Sequence, residues 1–138
     1  MKDQLDIESR QALIQYRLQR AEETLEESAI LADAKHYNAA MNRLYYACYY
    51  AVVAALLRYG VNASTHSGVK TMFGLHLIAK QRLSNEHGKT FNRLFEIRHS
   101  GDYDDFVYCD EDMVKEYTPK AQNLIFNIQQ LLSPSLSK

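Results

Sequence analysis

Arg98 is the position where residue type and spacing point most directly to chemistry. It follows Phe91, Leu94 and Phe95 at helical spacing, so it faces the apolar side of its helix. A guanidinium in that setting is costly unless it is paired or opens onto a cleft. Asp102 lies four residues on, its natural partner across the helix end, and Tyr103 follows. Two readings stay open: an Arg–Asp clamp that closes the helix, or an arginine that binds an anion. A single carboxylate leaves the guanidinium with donors to spare, and a nucleotide phosphate would satisfy them bidentately.

A second concentration of functional groups is the run Tyr45-Tyr46-Ala47-Cys48-Tyr49-Tyr50, which covers more than half the circumference of a helix. Some of these phenols must face neighbours other than the core. Next to Arg43 and Arg58 they can stack bases and contact phosphates, or they can form packing and dimer surfaces. Thr65-His66-Ser67-Gly68 sets a histidine and hydroxyls at a helix start, where backbone N–H groups hold anions; capping alone accounts for the same composition. His36, His66, His76, His87 and His99 show neither HxxxH nor HExxH spacing, which argues against zinc. Gly68 and Gly74 belong to no phosphate-binding loop, and Cys48, among apolar residues, reads as core.

The elements that position these groups are written in helical period. The chain has 138 residues, 46% hydrophobic, with five Gly and two Pro, which fits one globular domain over 1–138 with 133–138 as a frayed tail. Two lone cysteines offer no disulfide framework. The N-terminal MKDQLDIESR lacks the apolar core of a signal peptide, and the apolar-rich stretch from Leu44 to Leu57 is shorter than a membrane span, so the expected location is the cytoplasm, away from membranes. Charge is unevenly distributed. Residues 1–34 carry four Lys/Arg against eight Asp/Glu, residues 35–100 nine against two, and residues 101–138 three against seven. A basic middle between acidic ends suits either a polyanion site or helices that pair across a bundle.

A first helix is expected from Leu5 to Ala34, with Ile14, Leu18, Ala21, Leu25, Ala29 and Ala32 on one face and Glu22, Glu23, Glu26 and Glu27 on the other. After a break at Asp33 to Tyr37, a second helix runs to about Tyr59, its small-residue stripe allowing close approach and Gly60 ending it. Thr65 caps a third helix reaching about Gln81; Ser84 caps a fourth that Ser100 and Gly101 stop. Asp110 caps the last, with a kink or restart expected at Thr118 because of Pro119, and Leu124, Ile125, Ile128, Leu131 and Leu132 complete its packing face. No alternating strand pattern is present, so the fold class is all-α, an antiparallel up-and-down bundle of four main helices and a shorter one.

Taken together, three segments resemble the HEPN superfamily of small helical domains (higher eukaryotes and prokaryotes nucleotide-binding), in particular its short stand-alone prokaryotic members. They are Ala39-Ala40-Met41-Asn42-Arg43-Leu44-Tyr45-Tyr46-Ala47, then Thr65-His66-Ser67-Gly68-Val69 with Phe73-Gly74, then Arg98 followed by Asp102-Tyr103, and the likeness spans about Ala29 to Leu132. The resemblance implies a homodimer, often encoded beside a minimal nucleotidyltransferase as a toxin–antitoxin-like pair, with no cofactor. Catalytic members of that superfamily are metal-independent ribonucleases with an Arg-x4–6-His motif. Arg98 matches the Arg, but Tyr103, Asp104 and Asp105 occupy the positions open to the His. His99 is turned about 100° from Arg98 around the helix, and a phenol such as Tyr103 is a poor base at neutral pH.

The expectation is therefore a module that binds a nucleotide, RNA or a nucleotidyltransferase partner without efficient catalysis. Its ligand-binding residues would be Arg98, Asp102, Tyr103, His66, Ser67, Arg43, Tyr45 and Tyr46. The alternatives are an endoribonuclease at a dimer cleft, with Arg98 on the phosphorane, His66 or His99 as an irregularly placed base and Asp102 orienting it, and a purely structural interaction module.

Overall fold

A computed structural model of the chain describes residues 6–103 and 108–133, with side chains described for all of these but 100–103. The order is α1 (Ile7–Asp33), α2 (Tyr37–Arg58), α3 (His66–Phe73) continued by a π-helical turn (Gly74–Ile78), α4 (Asn85–Tyr103) and α5 (Glu111–Leu132). Among the described residues every regular element is helical, and the bundle expected from the sequence is what forms. The short link between α1 and α2 makes them an antiparallel hairpin. α2 lies at the centre, packed against α1, α3, α4 and α5, and its Leu44, Ala47, Cys48, Ala51, Val52, Ala54 and Ala55 are fully buried. Small side chains on that helix let its neighbours approach closely.

Turn chemistry fixes where the helices stop. α1, α2 and the π-helical turn each end with a residue in the left-handed region: Lys35 (φ 67), Gly60 (φ 72) and Gln81 (φ 61). At each, the next residue's N–H reaches back five positions: His36 to the Leu31 carbonyl (2.8 Å), Val61 to Leu56 (2.9 Å) and Arg82 to Leu77 (2.9 Å). These are Schellman endings, of which the sequence announces only Gly60. Thr65 and Asp110 cap α3 and α5 as expected, accepting from the Gly68 N–H (2.9 Å) and the Met113 N–H (3.0 Å). A Cβ on Gly68 would lie 2.9 Å from the Thr65 hydroxyl oxygen, so a larger residue there would make the cap shift.

Several expectations are corrected. Ala29 is exposed, and the inward positions at the end of α1 belong to Thr24 and Ser28. Their hydroxyls donate to the Arg20 carbonyl (2.6 Å) and, across to α2, the Ala40 carbonyl (2.9 Å), so burying them leaves no orphan donor. Leu25 and Phe95 are only partly buried. The third helix closes with π-helical geometry at Ile78 rather than running on to Gln81. α4 passes Ser100 and Gly101 and continues to Tyr103, since a mid-helix glycine costs only about 1 kcal/mol. α5 does not restart at Thr118: it is one helix through Pro119, with Val114 buried before the proline and Ala121, Leu124, Ile125, Ile128 and Leu132 after it. That burial outweighs the roughly 3 kcal/mol a proline costs in a helix interior. The Asp104-Asp105-Phe106 segment and the 134–138 tail lie outside the described residues.

Candidate functional site

Tyr45 organises the site. Its ring is fully buried on α2, stacked on Phe91 of α4 (centroids 5.7 Å apart, 13° between planes), and its hydroxyl meets His66 Nδ1 at 2.8 Å. His66 is the first residue of α3, so the Thr65 cap that starts this helix also delivers the imidazole to α2. There it stacks on Tyr49 (4.5 Å, 19°). Burial, reinforced by the neighbouring Tyr49 and Tyr46 phenols and opposed by Arg98, pushes the Tyr45 phenol well above its ordinary pKa, so it stays protonated.

Arg98 reaches the same cluster from α4. One terminal nitrogen donates to the Tyr46 hydroxyl at 3.1 Å, and the guanidinium lies 5.5 Å from the centre of that ring. Arg43 lies 5.2 Å from the same ring centre. Arg43 also donates to Asn42 Oδ1 (3.0 Å from Nη2) and pairs with Glu27 at 3.4 Å.

His99, turned about 100° from Arg98 around α4, also reaches the aromatic cluster. Its ring is 5.5 Å from His66 and 5.9 Å from Tyr45, because His99 continues at four-residue spacing the row of Phe91 and Phe95 along α4 that the Tyr45 ring meets. His99 Nδ1 lies 2.9 Å from the Phe95 carbonyl, which can only accept, so Nδ1 carries the proton and Nε2 is the basic nitrogen of the neutral ring.

The structure thus brings Arg43, Tyr45, Tyr46, His66, Arg98 and His99 together. Ser67 is exposed one residue beyond His66, with no contact to the cluster given by its position in the cap. Arg58 lies at the far end of α2 over Tyr59 (5.5 Å), apart from the cluster. The side chains of Asp102 and Tyr103 lie outside the described residues; their backbone continues α4 beyond Gly101, where the helix was expected to stop. Sequence reasoning named Tyr49 within the tyrosine run but left it and Lys70 out of the binding residues. Lys70 lies 5.0 Å from the Phe95 ring centre, which in turn stacks on His99 at 4.0 Å. The signal was available: Tyr49 and Lys70 stand four residues after Tyr45 and His66, on the same helical faces. Among the described residues no three His, Cys, Asp or Glu side chains are grouped to hold a metal ion.

Fold and site define a small all-helical domain with an arginine–histidine–tyrosine cluster where three helices meet. The chain belongs to the HEPN domain family, whose model matches residues 14–130. It is 36% identical over 123 residues to a "UPF0332 protein" of Thermotoga maritima, covering 89% of this chain and 93% of that one. Two proteins of Methanocaldococcus jannaschii, each named "Putative toxin", are 36% and 33% identical over 87 and 90 residues. Those matches cover 63% and 65% of this chain, and 59% and 67% of the relatives. No helix among the described residues is long and apolar enough to cross a membrane.

Proposed function

We propose that this HEPN module acts in a toxin–antitoxin-like system, as a homodimer paired with a nucleotidyltransferase, and that Arg98 receives the phosphate of a nucleotide or RNA. The observation that carries the reading is the Arg98 guanidinium, held by the Tyr46 hydroxyl (3.1 Å) among Tyr45, His66 and His99. A planar fork positioned by the Tyr46 hydroxyl matches the two-oxygen geometry of a phosphate, and less entropy is lost when the anion arrives. The toxin-named relatives support the cellular setting.

The test is a thermal-shift series with mononucleotides and short RNA on the wild type, Arg98→Ala and Arg98→Lys. Ligand at a hundredfold excess over Kd should stabilise the wild type by about 2.7 kcal/mol. Arg98→Ala should lose that shift while keeping its helix content, and Arg98→Lys should recover part of it. No shift with any ligand would overturn the phosphate reading and leave the protein partner.

A second reading, metal-independent RNA cleavage, is favoured by one observation: the His66 and His99 rings are 5.5 Å apart beside Arg98, although the motif histidine is missing. In that reaction a base takes the proton of the ribose 2′-hydroxyl, the oxygen attacks the adjacent phosphorus, and the 5′-oxygen leaves with a proton from an acid. Arg98 would stabilise the charge gathered on the phosphorane. Cleavage of single-stranded RNA that disappears in both His66→Gln and His99→Gln would establish it; an intact substrate with wild-type protein would remove it.

A further inference from the structure

Beside the Arg98 cluster, the face shared by α1 and α2 carries a succession of guanidiniums. Arg98 and Arg43 flank the Tyr46 ring at 5.5 and 5.2 Å, and Arg20 lies 5.3 Å from the Tyr50 ring centre. Tyr46 and Tyr50 are one helical turn apart with centroids 6.3 Å from each other, so the three charges follow one another along α2. The attraction between a guanidinium and a ring face helps to hold each charge in place along this row.

Arg20 Nη1 is already paired with Glu23 Oε1 at 2.8 Å, and a second carboxylate occupies the space between Arg20 and Arg43. Glu27 Oε1 is 3.4 Å from Arg43 Nη1, and Glu27 Oε2 is 3.9 Å from Arg20 Nη1. Both exceed the roughly 2.7–2.9 Å of a strong charge-assisted bond, and the Glu27 side chain is 44% exposed. It is a loosely held internal anion with its two oxygens where two phosphate oxygens would go. Independently, the Nε of Arg17, three residues before Arg20, is buried with no hydrogen-bond partner.

We propose that Arg20 and Arg43 form a second phosphate position, closed by Glu27, that takes the next backbone groups of a single-stranded RNA whose first phosphate is at Arg98. The inference rests on the phosphate reading of Arg98 and adds to it a strand path, two further binding residues and a displaceable competitor.

The experiment measures fluorescence anisotropy of a labelled single-stranded RNA dodecamer over a range of salt, and thermal shift with AMP. The proteins are the wild type, Arg20→Ala, Arg20→Lys, Arg43→Ala, Glu27→Gln and Arg98→Ala, with circular dichroism as the check of fold. Arg20→Ala should weaken the dodecamer about tenfold, the effect of one lost charge-assisted contact, and reduce the slope of log affinity against log salt by about 0.7. Its response to AMP should be unchanged, and Arg20→Lys should restore part of the affinity even if the alanine variant folds poorly. Arg43→Ala should also weaken the dodecamer, and Glu27→Gln should tighten it severalfold. Wild-type affinity and salt slope in Arg20→Ala and Arg43→Ala would overturn the second position, as would a wild type that binds no dodecamer. Unchanged affinity in Glu27→Gln would overturn the closure. Variants that alter only sedimentation would assign the face to a second copy of the chain and refute the RNA path. If Arg98→Ala alone leaves both ligands unaffected, it is the Arg98 reading that fails.

Discussion

Tyr45→Phe isolates the bond that fastens the start of α3 to α2. The substitution removes only the hydroxyl that meets His66 Nδ1 at 2.8 Å and keeps the ring stacked on Phe91 at 5.7 Å. His66 is only partly buried, so water can replace the lost partner and no full desolvation penalty arises. The expected loss is therefore the net value of one hydrogen bond, about 0.5–1.5 kcal/mol, which for a chain of this size lowers Tm by about 2–6 °C. Tyr45→Ala, which also empties the space of a fully buried ring, should cost about 3–5 kcal/mol. The informative measurement is a double-mutant cycle by urea unfolding with Tyr45→Phe, His66→Ala and the pair. His66→Ala also loses the stack on Tyr49, but only the Tyr45–His66 bond is shared, so the coupling should equal the Tyr45→Phe loss. A coupling within about 0.3 kcal/mol of zero would refute the reasoning and leave α3 held by ring packing alone.

Leu94→Ala should destabilise by about 2–5 kcal/mol, because Leu94 is 1% exposed in the core; an unmoved denaturation midpoint would contradict that placement. His87 is buried in the first turn of α4, and burial holds its pKa below the ordinary imidazole range, with Glu86 opposing weakly. Above about pH 6.5 the ring is neutral in both states; below it the unfolded chain binds the proton more readily, so stability should fall as pH drops from there toward the lower folded-state pKa. His87→Gln should flatten that part of a Tm-versus-pH curve, and parallel curves for the two proteins would rule the linkage out. Lys35→Gly, at φ 67 beyond α1, should stabilise by up to about 1 kcal/mol, since relief of the left-handed strain exceeds the entropy glycine adds to the unfolded chain. A lower Tm for that variant would mean that Lys35 contributes more through contacts than its backbone costs.

The fold was legible because every helix writes its burial in period. The stripe through Leu44, Cys48, Ala51 and Ala55 marks α2 as central, and Thr65 and Asp110 mark two helix starts. What stayed hidden was decided by tertiary contacts that outweigh local preference. Lys35 and Gln81 close Schellman turns without the glycine that would announce them. Ser28 looks like a surface residue until the Ala40 carbonyl of the next helix is placed 2.9 Å from its hydroxyl. Pro119 and Gly101 suggest breaks, and both helices run past them, α5 with buried residues on either side of its proline.

At the site, the contributing pairs are visible as i,i+4 repeats: Tyr45 with Tyr49, Tyr46 with Tyr50, His66 with Lys70, Phe95 with His99. The sequence does not reveal that these four faces meet, because helix spacing orders residues around one axis and says nothing of which axis lies opposite. That is why the search for a histidine five to seven residues after Arg98 finds none, while two imidazoles stand in the cluster that holds the guanidinium. A base needs to be near the arginine in space, and a fixed interval along one helix is only one way to put it there. In this chain the alternatives are His66, delivered by the start of α3, and His99, oriented by the Phe95 carbonyl. His66 meets the Tyr45 hydroxyl and His99 the Phe95 carbonyl through Nδ1, so the decisive variants are those that change these two rings and leave Tyr45, Tyr46 and Arg98 in place.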